Sequence, residues 1–328
     1  MRIGFIGTAS ITRNWMAPAF AKVAEAEVVA VLGSCPDRTA GFAADLGIPH
    51  ADTDIDVFLT RHALDAVYIA TTNDRHHEQT LAALEAGVHV LCEKPLSTTQ
   101  KDAEHMVERA EAASLVLATN HHLRQHGSHR AIRDILRSRE LGDIVQGRVS
   151  FTEQLPEDLA RWRMNDPATG AGVVLDLTVH DIDILRFWMG CDPVRVSGLG
   201  KARRGNCILD DVATVWEFEN GAVIICQDSF NVPFGGNAVE LHGSHGSLIA
   251  RDVLHQRDEG QITVSTVDGI RTLTQPKRDT YVHVVEDFFA SIRTGKLPSC
   301  SGADGLASLR YALIAQEAIQ SGHAIDIT

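Results

Sequence analysis

Short apolar runs alternate with stretches of helical period through the first third of this 328-residue chain, and nothing else in the sequence restricts the fold as strongly. Runs at 3–6, 28–32, 66–70 and 88–92 are separated by helix-period segments at 15–24, 38–46 and 75–86. Strand, helix and strand in succession read as βαβ units, which require a parallel sheet with helices on its faces. After Pro95, Ser97 and Thr98 offer N-caps for a helix reaching about residue 112, and 115–119 supplies a further strand. The expected first domain is a Rossmann-type parallel sheet over residues 1–120.

The pattern then changes. A helix from about residue 128 ends at Leu141-Gly142-Asp143, residues 144–154 alternate like a half-buried strand, 172–188 has helical spacing and 194–201 reads as strand. Residues 212–218 pair with 222–228 across Asn220-Gly221, the strongest short-range hairpin signal. A second hairpin joins 261–267 to 270–274 with its turn at Asp268-Gly269, and helices at 281–293 and 304–321 close the chain. Residues 121–328 are thus expected to form an α+β domain on a large, mostly antiparallel open sheet, for an α/β protein overall. One face of such a sheet is available to a second subunit, so a homodimer or higher homo-oligomer is compatible with the pattern.

A formal net charge of −13 repels nucleic acid and anionic membrane surfaces, and excludes both as partners. No apolar run approaches membrane-spanning length, and Met1-Arg2 leads directly into Ile3 with no secretory leader. These features point to the cytoplasm. The six cysteines (Cys35, Cys92, Cys191, Cys207, Cys226 and Cys300) are scattered without a Cys-x-x-Cys pair, against both a disulfide framework and a structural zinc site.

Chemistry-bearing residues collect at strand ends. In an open parallel sheet, ligands lie beyond the carboxyl ends of the strands. The loop Gly7-Thr8-Ala9-Ser10-Ile11-Thr12 follows the first strand where a dinucleotide fingerprint belongs, with only the first of three glycines retained. The second strand closes on Gly33-Ser34 where a ribose-binding carboxylate is usual, with Arg38 four residues on. A hydroxyl and a guanidinium suit a 2′-phosphate, so NADP is favoured over NAD, although Arg38 can equally pair with Asp37 or Asp45 on a solvated helix. Thr71-Thr72-Asn73 follows the next strand. The run 88–92 ends in Glu93-Lys94-Pro95, where Lys94 can neutralise charge developing on a substrate oxygen.

In the second half, Asp176 and His180 lie four apart and Asp183 three further, on one helical face. A carboxylate one turn from an imidazole can orient a proton donor, and the same spacing also serves a merely helix-stabilising pair. His122, His126 and His129 share helical spacing, but no carboxylate or cysteine cluster accompanies them and Gly127 interrupts the helix, so no metal is expected. His121 and His122 follow a strand end and can line a substrate pocket. Trp162-Arg163 lies in an irregular, proline-containing approach to the catalytic helix.

Taken in order, the Gly7 loop, Thr71-Thr72-Asn73, Cys92-Glu93-Lys94-Pro95 and 172–180 resemble the glucose-fructose oxidoreductase, inositol dehydrogenase and rhizopine-catabolism (Gfo/Idh/MocA) family over essentially the whole chain. Stretches at 71–80, 91–96, 119–124, 162–163 and 175–186 point to a subgroup of bacterial reductases acting on an anhydroketose. The resemblance implies reduction of a sugar-derived ketone by NADPH. It assigns coenzyme contacts to Gly7, Thr8, Ala9, Ser10, Ile11, Thr12, Ser34, Arg38, Thr71, Thr72, Asn73, His76, Glu93, Lys94, Asn120, Trp162, Arg163 and Tyr281, and catalysis to Lys94, Asp176 and His180. Two other readings remain: NAD(P)-dependent oxidation of a cyclitol or anhydrosugar, and a regulatory protein that binds NADP without turnover.

Overall fold

A computed structural model describes residues 1–204, 207–273 and 278–328. The chain divides into two compact units: Met1–His121 with Tyr281–Leu306, and His122–Thr280 with Ala307–Thr328.

The first unit is a parallel sheet of β1 (Arg2–Ile6), β2 (Glu27–Leu32), β3 (His50–Asp52), β4 (Ala66–Ile69), β5 (His89–Cys92) and β6 (Leu117–Thr119), in the order 3-2-1-4-5-6. The α/β reading holds. Order reverses between β1 and β4, so the ends of these strands form the switch point where such sheets bind ligands. The apolar strands are buried almost completely, because helices cover both faces of a parallel sheet. The helix Gln100–Ala113 is capped by Thr99, whose hydroxyl accepts from Asp102 N at 3.1 Å, and not by Ser97 or Thr98. The chain also returns to this unit. Tyr281, Val284, Val285, Phe288 and Phe289 of the helix Thr280–Thr294 join the core around Phe5, Phe20 and Tyr68, so the unit is built from two stretches instead of the single stretch 1–120.

The second unit carries a nine-stranded, mostly antiparallel sheet: β7 (Ile144–Thr152), β8 (Pro193–Lys201), β9 (Asp211–Phe218), β10 (Val223–Ser229), β11 (Asn237–Gly243), β12 (Gly246–Arg251), β13 (Gln261–Thr266), β14 (Gly269–Leu273) and β15 (Ile325–Asp326). Its order is 14-13-12-11-7-10-9-8-15, with β7 and β10 the parallel neighbours. The β9–β10 hairpin turns at Asn220-Gly221 as expected, with Gly221 at φ +80°. The β13–β14 hairpin pairs Thr266 with Gly269, so its two-residue turn is Val267-Asp268, one residue earlier than Asp268-Gly269. Thr274, the expected end of that hairpin, lies outside the described residues. The β11–β12 hairpin was not expected, although Val239, Leu241, Leu248 and Ala250 alternate around Gly243-Ser244-His245-Gly246.

Candidate active site

In the first unit the strand ends converge on β1, β4 and β5. Gly7 adopts φ +108°, and a Cβ there would lie 2.3 Å from the Ala70 carbonyl oxygen. Only glycine fits where β1 and β4 approach so closely, which explains why the first fingerprint glycine survives. The helix after it starts earlier than residue 15: a turn at Ser10 and Ile11 leads into a π-helical stretch, Thr12–Met16, and then Ala17–Lys22. Thr8 and Ala9 are half-buried and Ser10 exposed. Thr12, at the third glycine position, is buried with its Oγ1 lacking a hydrogen-bond partner.

At the end of β2, a Cβ on Gly33 would meet Thr39 Oγ1 at 2.3 Å. The acidic residue usual at this point is therefore excluded by Thr39, which itself donates to the Cys35 carbonyl at 2.7 Å. Arg38 donates to Ser34 Oγ at 2.8 Å, and both are exposed. The alternative partner Asp45 is taken by Arg13 at 2.8 Å.

After β4, Thr71 Oγ1 donates to Gln79 at 2.7 Å and Asn73 is buried in a 3-10 turn, Asn73–Arg75. His76 is buried, its Nδ1 2.9 Å from the Pro95 carbonyl, and burial pulls its pKa below the ordinary histidine value. After β5, Glu93 Oε1 accepts from Tyr68 Oη and from Asn120 Nδ2, both at 2.6 Å. Burial raises the Glu93 carboxyl above its usual range, while those two hydrogen bonds and the Lys94 charge oppose the shift. Burial together with Glu93 also lifts the Tyr68 hydroxyl well above its usual value. Lys94, joined to Pro95 through a cis peptide, is half-buried. Asn120 is buried, with Oδ1 lacking a partner. Tyr281 is 2% exposed and packs on Trp15 with ring centroids 5.6 Å apart.

In the second unit, Trp162 and Arg163 lie on a helix, Glu157–Asn165, and not on an irregular segment. Arg163 is held from both ends: its guanidinium covers the Trp162 ring at 4.5 Å, its Nε donates to Asp176 Oδ2 at 3.1 Å, and its carbonyl accepts from Gly172 N at 2.9 Å. Asp176 sits in a π-helical stretch, Val174–Thr178, which runs into the helix Val179–Met189 carrying His180. The four-residue spacing thus crosses from π to α geometry, and the ideal i, i+4 face does not apply. His180 is buried, its ring nearly perpendicular to that of His122 (86°, centroids 5.4 Å apart) and 6.4 Å from Phe151.

Asp183 is withdrawn from this group. Both its oxygens accept from the Arg124 guanidinium, at 2.9 and 2.7 Å, in a buried fork. Asp181, fully buried, lies by Asp228, whose Oδ2 accepts from Thr178 at 2.5 Å. Burial and the neighbouring carboxyl raise Asp181 well above its usual range, and burial lifts Asp228 to about 6. Two carboxyls in one dry site hold a proton between them. Sequence reasoning missed this pair, since nothing local links residues 181 and 228. The histidines are also arranged differently: His122 lies in a 3-10 turn, His122–Gln125, and Gly127 begins the helix Gly127–Arg137. Among the described residues, no group of three or more His, Cys, Asp or Glu is arranged to hold a metal ion. No helix among them is long and apolar enough to cross a membrane.

Residues 1–121 match a family model described as an oxidoreductase family with an NAD-binding Rossmann fold, and 129–249 match the GFO/IDH/MocA C-terminal domain. The chain is 37% identical to 1,5-anhydro-D-fructose reductase of Ensifer adhaerens, covering 99% of this chain and 98% of that protein. It is 25% identical to myo-inositol 2-dehydrogenase of Thermotoga maritima, covering 100% and 98%. Among solved structures, the aldose-aldose oxidoreductase of Caulobacter crescentus superposes with a TM-score of 0.92 at 20% identity, covering 100% of this chain and 99% of that one.

Proposed function

We propose, from the premise that this chain belongs to the GFO/IDH/MocA family of NAD(P)-dependent sugar oxidoreductases, that it is an NADPH-dependent reductase of a cyclic sugar ketone. The substrate in this reading is 1,5-anhydro-D-fructose or a close analogue, and the product 1,5-anhydro-D-mannitol. The full-length likeness at 37% identity to the Ensifer reductase supports the substrate class. The Ser34–Arg38 pair beside Gly33 carries the choice of NADPH: a hydroxyl and a guanidinium 2.8 Å apart stand where a carboxylate would repel a phosphate.

The residues present suit a dinucleotide. Gly7 permits the close approach of β1 and β4 at the switch point, and Thr12 and Asn120 each bring a buried polar atom without a protein partner. A reduced nicotinamide, when bound, supplies the hydride. The Gly7 to Thr12 loop, Ser34, Arg38, Thr71, Thr72, Asn73 and His76 would hold the coenzyme together with Lys94, Asn120, Trp162 and Arg163. Glu93 and Tyr281 enter as supports, Glu93 through Tyr68 and Asn120 and Tyr281 through Trp15. Lys94 neutralises charge on the carbonyl oxygen, and His180 donates the proton that completes the alcohol. Asp176, fixed by Arg163 and four residues before His180, orients that donor in this reading.

The test is an NADPH-oxidation assay with 1,5-anhydro-D-fructose beside inosose and simple ketoses. Lys94→Ala and His180→Ala should each lower turnover by ~10²–10⁴-fold, the usual worth of a positioned acid or base. Full turnover in both variants overturns these roles. Turnover only in the oxidative direction on a cyclitol selects a dehydrogenase, and tight NADPH binding without turnover on any ketone selects a sensor.

The reading includes a cytoplasmic homo-oligomer. Leu199, Val215, Val223, Ile225 and Ile249 are exposed on one face of the nine-stranded sheet, where β-pairing aligns Val215 with Ile225. Light scattering should find a dimer or larger assembly, and Ile225→Glu should dissociate it; a monomeric parent rejects this part.

A further inference from the structure

Four imidazoles and an indole form a column inside the second unit. From His180 the ring centroids step 5.4 Å to His122, 5.7 Å to His126, 5.4 Å to His129 and 5.3 Å to Trp188. All four histidines are buried. The deep end is anchored: His129 Nε2 lies 2.8 Å from the Val253 carbonyl, and its ring stacks on Trp188. His126 precedes the helix Gly127–Arg137, whose first amide donates to Asp258 at 2.6 Å.

A proton passed inward along this column would find no stable acceptor. Burial pulls His126 down to about 4 and His129 to about 3, so near neutral pH roughly one ring in 10³ or fewer would hold the charge. The rings beyond His122 are thus mostly uncharged near neutral pH, even with the Asp258 carboxylate 3.9 Å from His126, and their ring-to-ring packing suits a mechanical use. The imidazole torsion about Cβ–Cγ is broad and two-fold, and a proton donor works only when its N–H points at the acceptor. A ring standing at 86° against His180 narrows that torsion.

We propose that His122 is a positioning residue that sets the ring plane of His180 for proton donation. This rests on reading His180 as the proton donor. The 3-10 turn His122–Gln125 holds His122 in place, and His126 and His129 back it from the interior.

The experiment uses the full-length protein with NADPH and 1,5-anhydro-D-fructose. His180→Ala is measured first: if it keeps parental turnover, the donor assignment fails, whatever His122 does. Given that loss, His122→Ala should lower kcat about ten- to a hundredfold, short of the loss of the donor itself. KM should stay within about twofold, and the solvent deuterium isotope effect on kcat should rise as proton transfer becomes limiting. His122→Phe keeps a ring against His180 and should restore most of kcat. In a His180→Ala background, His122→Ala should cost nothing more. Parental kcat and isotope effect in His122→Ala overturn the proposal. So does His122→Phe as slow as His122→Ala, and added imidazole that restores the alanine variant would identify a proton carrier instead. Should the alanine variant not fold, His122→Asn against His122→Phe makes the same comparison.

Discussion

The two units hold their buried ionisable groups in opposite ways. In the first, Glu93 at the end of β5 is satisfied by direct hydrogen bonds from Tyr68 on β4 and Asn120 just past β6. These two partners come from the neighbouring strands of one sheet or the loop just past them. In the second, the histidines meet ring to ring, Asp181 faces Asp228, and Arg124 with Asp183 forms a buried charge-assisted fork. The partners come from a turn, a helix and a sheet strand far apart in the chain. A site built on adjacent strand ends inherits its geometry from the sheet, whereas a site under a helix depends on packing to keep each group aligned.

That contrast can be broken at four points, taken from the largest expected effect. Arg124→Ala leaves the Asp183 carboxylate, 1% exposed, without its fork and should cost ~3–5 kcal/mol in urea unfolding. A double variant with Asp183→Asn should recover part of the loss, and a cost near zero would show that packing alone holds this helix. Tyr68→Phe removes one hydrogen bond to Glu93 and should cost ~1.5–3 kcal/mol by the same measurement. An equal loss at both sites would erase the distinction between them.

The third test reads a slope. An unfolded aspartate releases its proton near pH ~3.9, while Asp228 in the fold keeps its own to about 6. The native state then binds more protons than the unfolded state across that window, so this contribution to stability is present below it and is lost as pH rises through 6. His126 and His129 act in the other sense. Their lowered values of about 4 and about 3 favour the fold above pH ~6.5 and withdraw that support as pH falls toward 3. Asp228 thus offsets part of the histidine contribution between about pH 4 and 6, so Asp228→Asn should make stability rise more steeply with pH across that window and leave the limb below about pH 4 unchanged. Melting curves across that range that match the parent would remove the shared proton from the account.

The smallest effect belongs to the exposed end of the first unit. Arg38→Ala should raise KM for NADPH about tenfold, the worth of ~1.4 kcal/mol, and leave KM for NADH unchanged. Equal weakening of both coenzymes would reject the 2′-phosphate reading.

Much of the first unit was legible because its signals are local. Apolar runs of strand length separated by helical periods specify βαβ units, and polar residues just past each run mark the ligand edge. Two of its elements were not legible. β3 is only His50-Ala51-Asp52, with no apolar run to announce it, and the helix Ile55–Arg61 is too short to show a period. The Gly33 position was read as a missing carboxylate, but its cause, Thr39 occupying the place of a Cβ, is a contact six residues away. Asp176, His180 and Asp183 were grouped by spacing, which gave no sign of the arginines that hold two of them. Asp176 pairs with Arg163 and Asp183 with Arg124, and a π-helical stretch alters the register that spacing assumed.

By itself, then, the sequence settled the α/β class, the parallel and antiparallel halves, and the strand ends where polar residues stand, because each follows from periodicity within a few residues of chain. Tertiary structure alone decided the order of the nine strands, the return of Tyr281–Leu306 to the first unit, the Asp181–Asp228 pair and the histidine column. Those features join residues tens to hundreds of positions apart. Their energies come from burial and contact, which no local pattern of side chains encodes.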